Sequence, residues 1–155
     1  MSELSGQIRA DMVAAMKAHD TLTLSTLRMA ISAIQNEEVA GKQARELTDA
    51  DVVAVLNREV SKRRDSAESY TVGNRPELAT KELGEVEVLQ RYLPAALSDT
   101  ELAVIVAEEL GVAQGALGDK PTMKQMGLVM KAVTKRVAGR ADGGKVATLV
   151  RSALA

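Results

Sequence analysis

The sequence predicts an all-α protein, built as a four-helix N-terminal segment and a small three-helix C-terminal domain. Three observations carry this. Apolar residues recur at steps of three and four along most of the chain, and no run reads as a strand. The 155 residues include no Phe, no Trp and only Tyr70 and Tyr92, so Leu, Val, Ile, Met and Ala must fill the core. Such a core suits helices, whereas strands draw more on aromatic and β-branched side chains. Finally, Pro76, Pro94, Pro121 and most of the 11 glycines fall where the periodicity breaks.

The first helix is expected from about Leu4 to Ala18, with Leu4, Ile8, Met12 and Met16 at i, i+4 spacing. Asp20 caps a second helix to about Val39, with Leu24, Leu27, Ile31 and Ile34 as its stripe. After the polar joint 40–46, Thr48 with Asp51 forms a capping box for a third helix to about Thr71. Gly73-Asn74 makes a tight joint, and Pro76 sits in the first turn of a fourth helix, where its missing N–H costs nothing. That helix ends at Tyr92-Leu93-Pro94. Ser98 with Glu101 opens a fifth helix, expected to stop at Gly111 before a glycine-rich joint to Gly118. Thr122 with Gln125 caps a sixth, with Met123, Met126, Met130, Val133 and Val137 along one side, and Gly139 stops it. Asp142 caps a seventh, with Val146, Leu149, Val150 and Ala153 inward. The domains are expected at 1–94 and 97–155.

The third and fourth helices each place a charge inside an apolar seam. Leu56, Val60, Arg63, Ala67 and Tyr70 share one stripe; Leu78, Glu82, Glu85, Leu89 and Tyr92 share another. In an antiparallel hairpin about Gly73, Arg63 lies ten positions before the turn. Glu82 and Glu85 lie nine and twelve after it. At about 1.5 Å rise per residue these heights nearly coincide. A buried structural ion pair of Arg63 with Glu82, Glu85 or both is expected, in preference to a ligand-binding arginine.

Without cysteine, disulfides, thiol nucleophiles and thiolate metal sites are excluded. The N-terminus has no apolar signal core, and no stretch approaches the roughly 20 apolar residues that a membrane span requires. The expectation is a soluble, cytoplasmic protein without membrane association. Net charge is −1 but uneven: residues 120–155 carry eight basic side chains against Asp142, +7, leaving −8 for the rest. This asymmetry points to a polyanionic partner, against the plainer alternative of a solvated helical face.

Most candidate chemistry fails. Gly139-Arg-Ala-Asp-Gly-Gly-Lys145 matches GxxxxGK, but Val146 stands where a magnesium-binding hydroxyl belongs, and a helix rather than a strand precedes it. Two readings remain: Gly143 and Gly144 amides with Arg140 and Lys145 hold a phosphate of something larger, or Asp142 simply caps a joint. His19 alone makes no zinc site, and no serine sits in a GxSxG elbow. No catalytic residue, metal or cofactor is expected. The methionines on helix stripes are core filler.

Two basic clusters remain. Lys124, Lys131 and Lys135 share one face of the sixth helix, away from its methionines, and Arg136 and Arg140 extend it. A favourable macrodipole explains Lys135 and Arg136, but not Lys124, Lys145 or Arg151. In the third helix, Lys62 and Arg64 flank the inward Arg63 and either touch phosphates or pair with Glu59, Asp65 and Glu68. With almost no aromatics to stack on bases, RNA recognition would have to work through backbone and shape.

Leu27-Arg28 with Ser32-Ala33-Ile34 and Glu37-Glu38, then Lys62-Arg63-Arg64-Asp65-Ser66 with Tyr70, Arg75, Leu78, Glu82, Glu85 and Tyr92-Leu93-Pro94, together resemble the GatB/YqeY family. Met126-Gly127-Leu-Val-Met130 and Gly139-Arg140-Ala-Asp142-Gly143 continue the resemblance in order over nearly the whole chain. It implies a larger N-terminal helical bundle and a small C-terminal helical domain. Related domains form the tail of the B subunit of tRNA-dependent amidotransferases and contact tRNA. The resemblance therefore implies a non-catalytic tRNA-binding module of translation. Its partners would be tRNA and an aminoacyl-tRNA synthetase or amidotransferase, with no DNA. The candidate contacts are Lys124, Lys131, Lys135, Arg140, Lys145, Lys62 and Arg64. Two alternatives stand beside it: a protein-interaction adaptor with no RNA ligand, and an accessory component of a carbon–nitrogen ligase, glutamine as amido donor, active only in a complex.

Overall fold

The computed structural model describes residues 1–155. Its helices are α1 (Glu3–Lys17), α2 (Thr21–Val39), α3 (Asp49–Val72), α4 (Pro76–Gln90), α5 (Asp99–Leu117), α6 (Met126–Val137) and α7 (Gly143–Leu154), with a 3-10 turn at Met123–Gln125 and no strand. None is long and apolar enough to cross a membrane. The chain forms two compact units, Met1–Leu93 and Pro94–Ala155.

The capping residues sit at the helix starts. The side chains of Asp20, Thr48, Ser98 and Asp142 each accept a backbone N–H from the first turn. Thr48–Asp51 and Ser98–Glu101 close as full capping boxes, the former although Asp replaces the usual Glu. Thr122–Gln125 closes one too, around the 3-10 turn rather than around α6.

In the first unit, Ile8, Leu27, Ile34, Val52, Leu56 and Leu89 are among the largest fully buried side chains of a core drawn from α1, α2, α3 and α4. Leu47 is buried with them, so the 40–47 segment is anchored at its end. Met16, expected inward, is exposed; Ala15 and Ser5 take the buried positions on α1. The α1 stripe thus turns more gradually than strict i, i+4 steps, as a 3.6-residue period requires. In the second unit, Leu102, Val106, Val129, Val133, Val146 and Val150 lead a separate core of α5, α6 and α7.

The joints differ from expectation in two places. The α5 helix runs through Gly111 and Gly115 to Leu117, and Gly118 ends it with φ 73°. A mid-helix glycine costs about 1 kcal/mol relative to Ala, too little to stop a helix that buries Leu102, Val106 and Ala113. At the α3–α4 joint, the left-handed residue is Asn74 (φ 58°), whereas Gly73 has an ordinary φ of −77°. At Gly73 the constraint is a milder one of space: a Cβ there would lie 3.3 Å from the Ser69 carbonyl oxygen, a tight contact.

Candidate nucleic-acid interface

On α6, Val129, Val133 and Val137 face the core of the second unit. Two positions on from a core residue the helix has turned by slightly more than half a revolution, so Lys131 and Lys135, two after Val129 and Val133, come out on the opposite side. Lys124, in the preceding 3-10 turn, continues that line. All three are exposed, and none makes an ion pair. The row spans roughly 16 Å along the helix axis.

The other basic groups of this unit are engaged within it. Arg136 meets Glu108 at 2.7 Å and Glu109 at 3.3 Å. Those hydrogen bonds, with Glu108 first, hold its guanidinium above the ordinary arginine value. Arg140 donates from Nε to the Ala95 carbonyl at 3.2 Å, and its own carbonyl accepts from Leu97 N at 2.8 Å. Lys145 pairs with Asp99. Of the five tail residues expected to contact RNA, the structure brings Lys124, Lys131 and Lys135 into one free row. It turns Arg140 and Lys145 toward the start of the unit.

The glycine loop is likewise engaged. Asp142 accepts from Lys145 N at 3.1 Å, and one of its oxygens sits where a Gly144 Cβ would come within 3.1 Å. The chain's own carboxylate therefore takes the place at the α7 N-terminus that an external anion would need.

In the first unit, Lys62 pairs with Glu59 at 2.9 Å, while Arg64 is exposed and makes no ion pair. Arg63 is 6% exposed. Its Nε donates to Glu85 at 2.9 Å, and its Nη1 donates to the Glu59 carboxylate at 2.8 Å and the Glu59 carbonyl at 3.1 Å. Nη2 lies 3.8 Å from the Met29 sulfur. Glu82 is half-buried and is not among these partners. Burial opposes ionisation of Glu59, but hydrogen bonds from Arg63 and Lys62 outweigh it and hold its carboxyl below the ordinary value.

Sequence reasoning named Glu59 as an intrahelical partner of the Lys62–Arg64 cluster but overlooked its contact with Arg63, and it overlooked Leu128 altogether. Glu59 stands four before Arg63, the standard spacing for a pair on one helix face. Leu128 is 58% exposed in the midst of the lysine row. The steps from Lys124 to Leu128, Lys131 and Lys135 are four, three and four, so its outward position was legible in the spacing. An apolar side chain is simply expected inward by default.

A family model described as Yqey-like protein matches residues 5–154. The curated protein "Altered inheritance of mitochondria protein 41, mitochondrial" of Saccharomyces cerevisiae is 31% identical over 99 residues, 63% of this chain and 52% of that protein. Its namesake in Candida glabrata is 30% identical over 105 residues, 68% and 54% of the two chains. The one in Vanderwaltozyma polyspora is 31% identical over 86 residues, 56% and 46%. The chain thus spans about half the length of the curated relatives it matches. These relatives overturn the cytoplasmic expectation, since they are named as mitochondrial proteins. Absent cysteine and an absent signal core distinguish poorly between one reducing aqueous compartment and another, so they could not support it. Since the family match runs through both helical units, the chain belongs to the Yqey-like protein family.

Proposed function

We propose that this chain is a non-catalytic RNA-binding module, with tRNA as its ligand, working beside an enzyme of tRNA aminoacylation or amidation. The observation that carries the RNA part is the row Lys124, Lys131 and Lys135: three exposed ammonium groups on one helix face, none with a carboxylate partner. Unpaired lysines in a row release condensed counterions when they meet phosphates, and this is the main source of sequence-independent nucleic-acid affinity. The second unit has no aromatic residue at all, which favours contact with backbone over stacking on bases. The choice of tRNA draws on the resemblance to the amidotransferase tail.

A protein-interaction adaptor is the second reading, and Leu128 supports it, because an exposed leucine gains little beside phosphates and more in a desolvated protein contact. Titration of the full chain with bulk tRNA across a salt series separates the two. The RNA module should bind with an affinity that falls steeply with salt, and the triple variant Lys124→Ala, Lys131→Ala, Lys135→Ala should lose that dependence. Absence of binding at low salt, or a triple variant that binds like the parent, would sink the RNA reading and leave the adaptor.

A further inference from the structure

A cleft of about 330 Å³ opens in the first unit between α1, the start of α2 and the end of α4. Its volume lies at the small end of the range for small-molecule sites. The space exists because α1 presents only Ala14, Ala15 and Ala18 along this side, after Gln7 and Asp11. Any larger side chain at these helical positions would fill it.

The charged groups of the cleft are left unmatched by the fold. Asp11 accepts a 2.6 Å hydrogen bond from the Tyr92 hydroxyl, which orients the carboxylate without neutralising it. Burial, and then the Asp11 hydrogen bond and charge, push the Tyr92 phenol up, so it remains a donor. Asp20 accepts from Thr23 N at 3.2 Å as the cap of α2. Hydrogen bonds from Thr23, with a smaller contribution from the charge of Arg91, hold the Asp20 carboxyl below its ordinary value. Yet neither carboxylate has a cation within ion-pair distance, and Arg91, exposed on the same cleft, has no carboxylate within that distance. Elsewhere in this unit Arg45, Arg58, Arg63 and Arg75 pair with acids, whereas Arg9, Arg28 and Arg64 do not. Arg91 differs from these three in lining a cleft that also holds two carboxylates.

Opposite charges that line one small cleft without meeting fit a molecule that carries both signs and lies between them. We propose that this cleft binds a small zwitterion of the free amino-acid class, its ammonium held by Asp11 and Asp20 and its carboxylate by Arg91. A lone amine would leave Arg91 uncompensated, and a lone carboxylate would face two like charges. Charge-assisted hydrogen bonds at both ends give the zwitterion its advantage. The cleft is independent of the lysine row and of any RNA ligand.

The test is an NMR titration of the full chain with glycine, alanine and glutamine, and with ethylamine and acetate as single-charge controls. The readout is the amide shifts of Ala14, Ala18 and Arg91. The amino acids should shift all three amides, and each control should bind roughly tenfold more weakly or worse, the loss expected for one charged hydrogen bond. Arg91→Met, at an exposed position, should weaken amino-acid binding by a similar factor while leaving ethylamine binding unchanged. Asp20→Asn keeps the helix cap and should weaken both. Three results would overturn the proposal: no shift of these amides up to roughly 10 mM amino acid, ethylamine binding as well as glycine, or Arg91→Met binding glycine like the parent.

Discussion

Arg63 and Glu85 stand eleven residues on either side of Asn74 and meet at 2.9 Å with both side chains buried. The pairing follows from the turn. With the left-handed residue at Asn74, the α3–α4 hairpin is centred there and not on Gly73. Equal offsets along two antiparallel helices share a height, so the position opposite Arg63 is Glu85, while Glu82 lies about one turn nearer the joint. Glu59, on Arg63's own helix, supplies the second acceptor, and Lys62 shares it.

Removing the arginine strands the Glu85 carboxylate in a low-dielectric seam and leaves Glu59 with only the exposed Lys62. Arg63→Ala should therefore cost about 3–5 kcal/mol in denaturant unfolding. Glu85→Ala should cost a comparable amount, while Glu82→Ala should stay within about 0.5 kcal/mol. The double variant Arg63→Met, Glu85→Leu should cost less than either truncation alone, because Glu59 keeps Lys62 and no buried charge is left over. Equal effects at Glu82 and Glu85 would contradict the assigned pairing.

Acid should loosen the first unit through identifiable groups. Asp51 is held well below its ordinary 3.8, first by the Arg45 hydrogen bond and then by the backbone and hydroxyl of Thr48; Glu59 is held below 4.5. Both folded-state values are depressed, so the unfolded chain binds more protons in this range. The stability they contribute is present above the ordinary values and is lost as pH falls below them toward the folded ones. Urea midpoints between pH 6 and pH 3 should fall, and Asp51→Asn should reduce the slope.

The exposed lysines and the engaged cations should behave differently toward RNA. Lys131→Ala should lower the log–log salt slope of tRNA binding by about one, with no change in which tRNA is preferred. Arg136→Ala and Lys145→Ala should leave the slope unchanged, since Glu108 and Asp99 already compensate those charges. A slope that responds to Lys145 instead would move the contact to the glycine loop.

The α6–α7 joint carries local strain that substitution can read. Ala138 is left-handed at φ 48°, a conformation that costs a non-glycine residue about 1–2 kcal/mol. Ala138→Gly removes that cost but makes the unfolded chain more flexible by about 0.4–1 kcal/mol. A net gain of about 0.5–1 kcal/mol in thermal unfolding is expected. At neighbouring Gly139, φ 78°, a change to Ala should destabilise by about 1 kcal/mol or more.

The isolated chain should neither hydrolyse ATP nor release ammonia from glutamine. Asp142 occupies the helix N-terminus that the incomplete GxxxxGK motif would offer a phosphate. Turnover by purified protein that disappears in Lys145→Ala would show that the loop opens to take a nucleotide.

The sequence by itself determined the helical class, the capping residues and most inward stripes, because these depend on interactions within four residues. Ser98 and Glu101 specify their own helix start wherever the chain goes next, and the period of Val129, Val133 and Val137 specifies a face. Tertiary structure decided what those faces meet. Whether Arg63 took Glu82 or Glu85 depended on a turn whose centre lies one residue away from the glycine that marks it. Arg140 and Lys145 looked like Lys131 and Lys135 in the sequence. They differ only because Ala95 and Asp99, more than forty residues earlier, fold back to meet them. The charge of a side chain is a property of the residue, but its availability is set by long-range partners, and spacing along a helix holds no record of those.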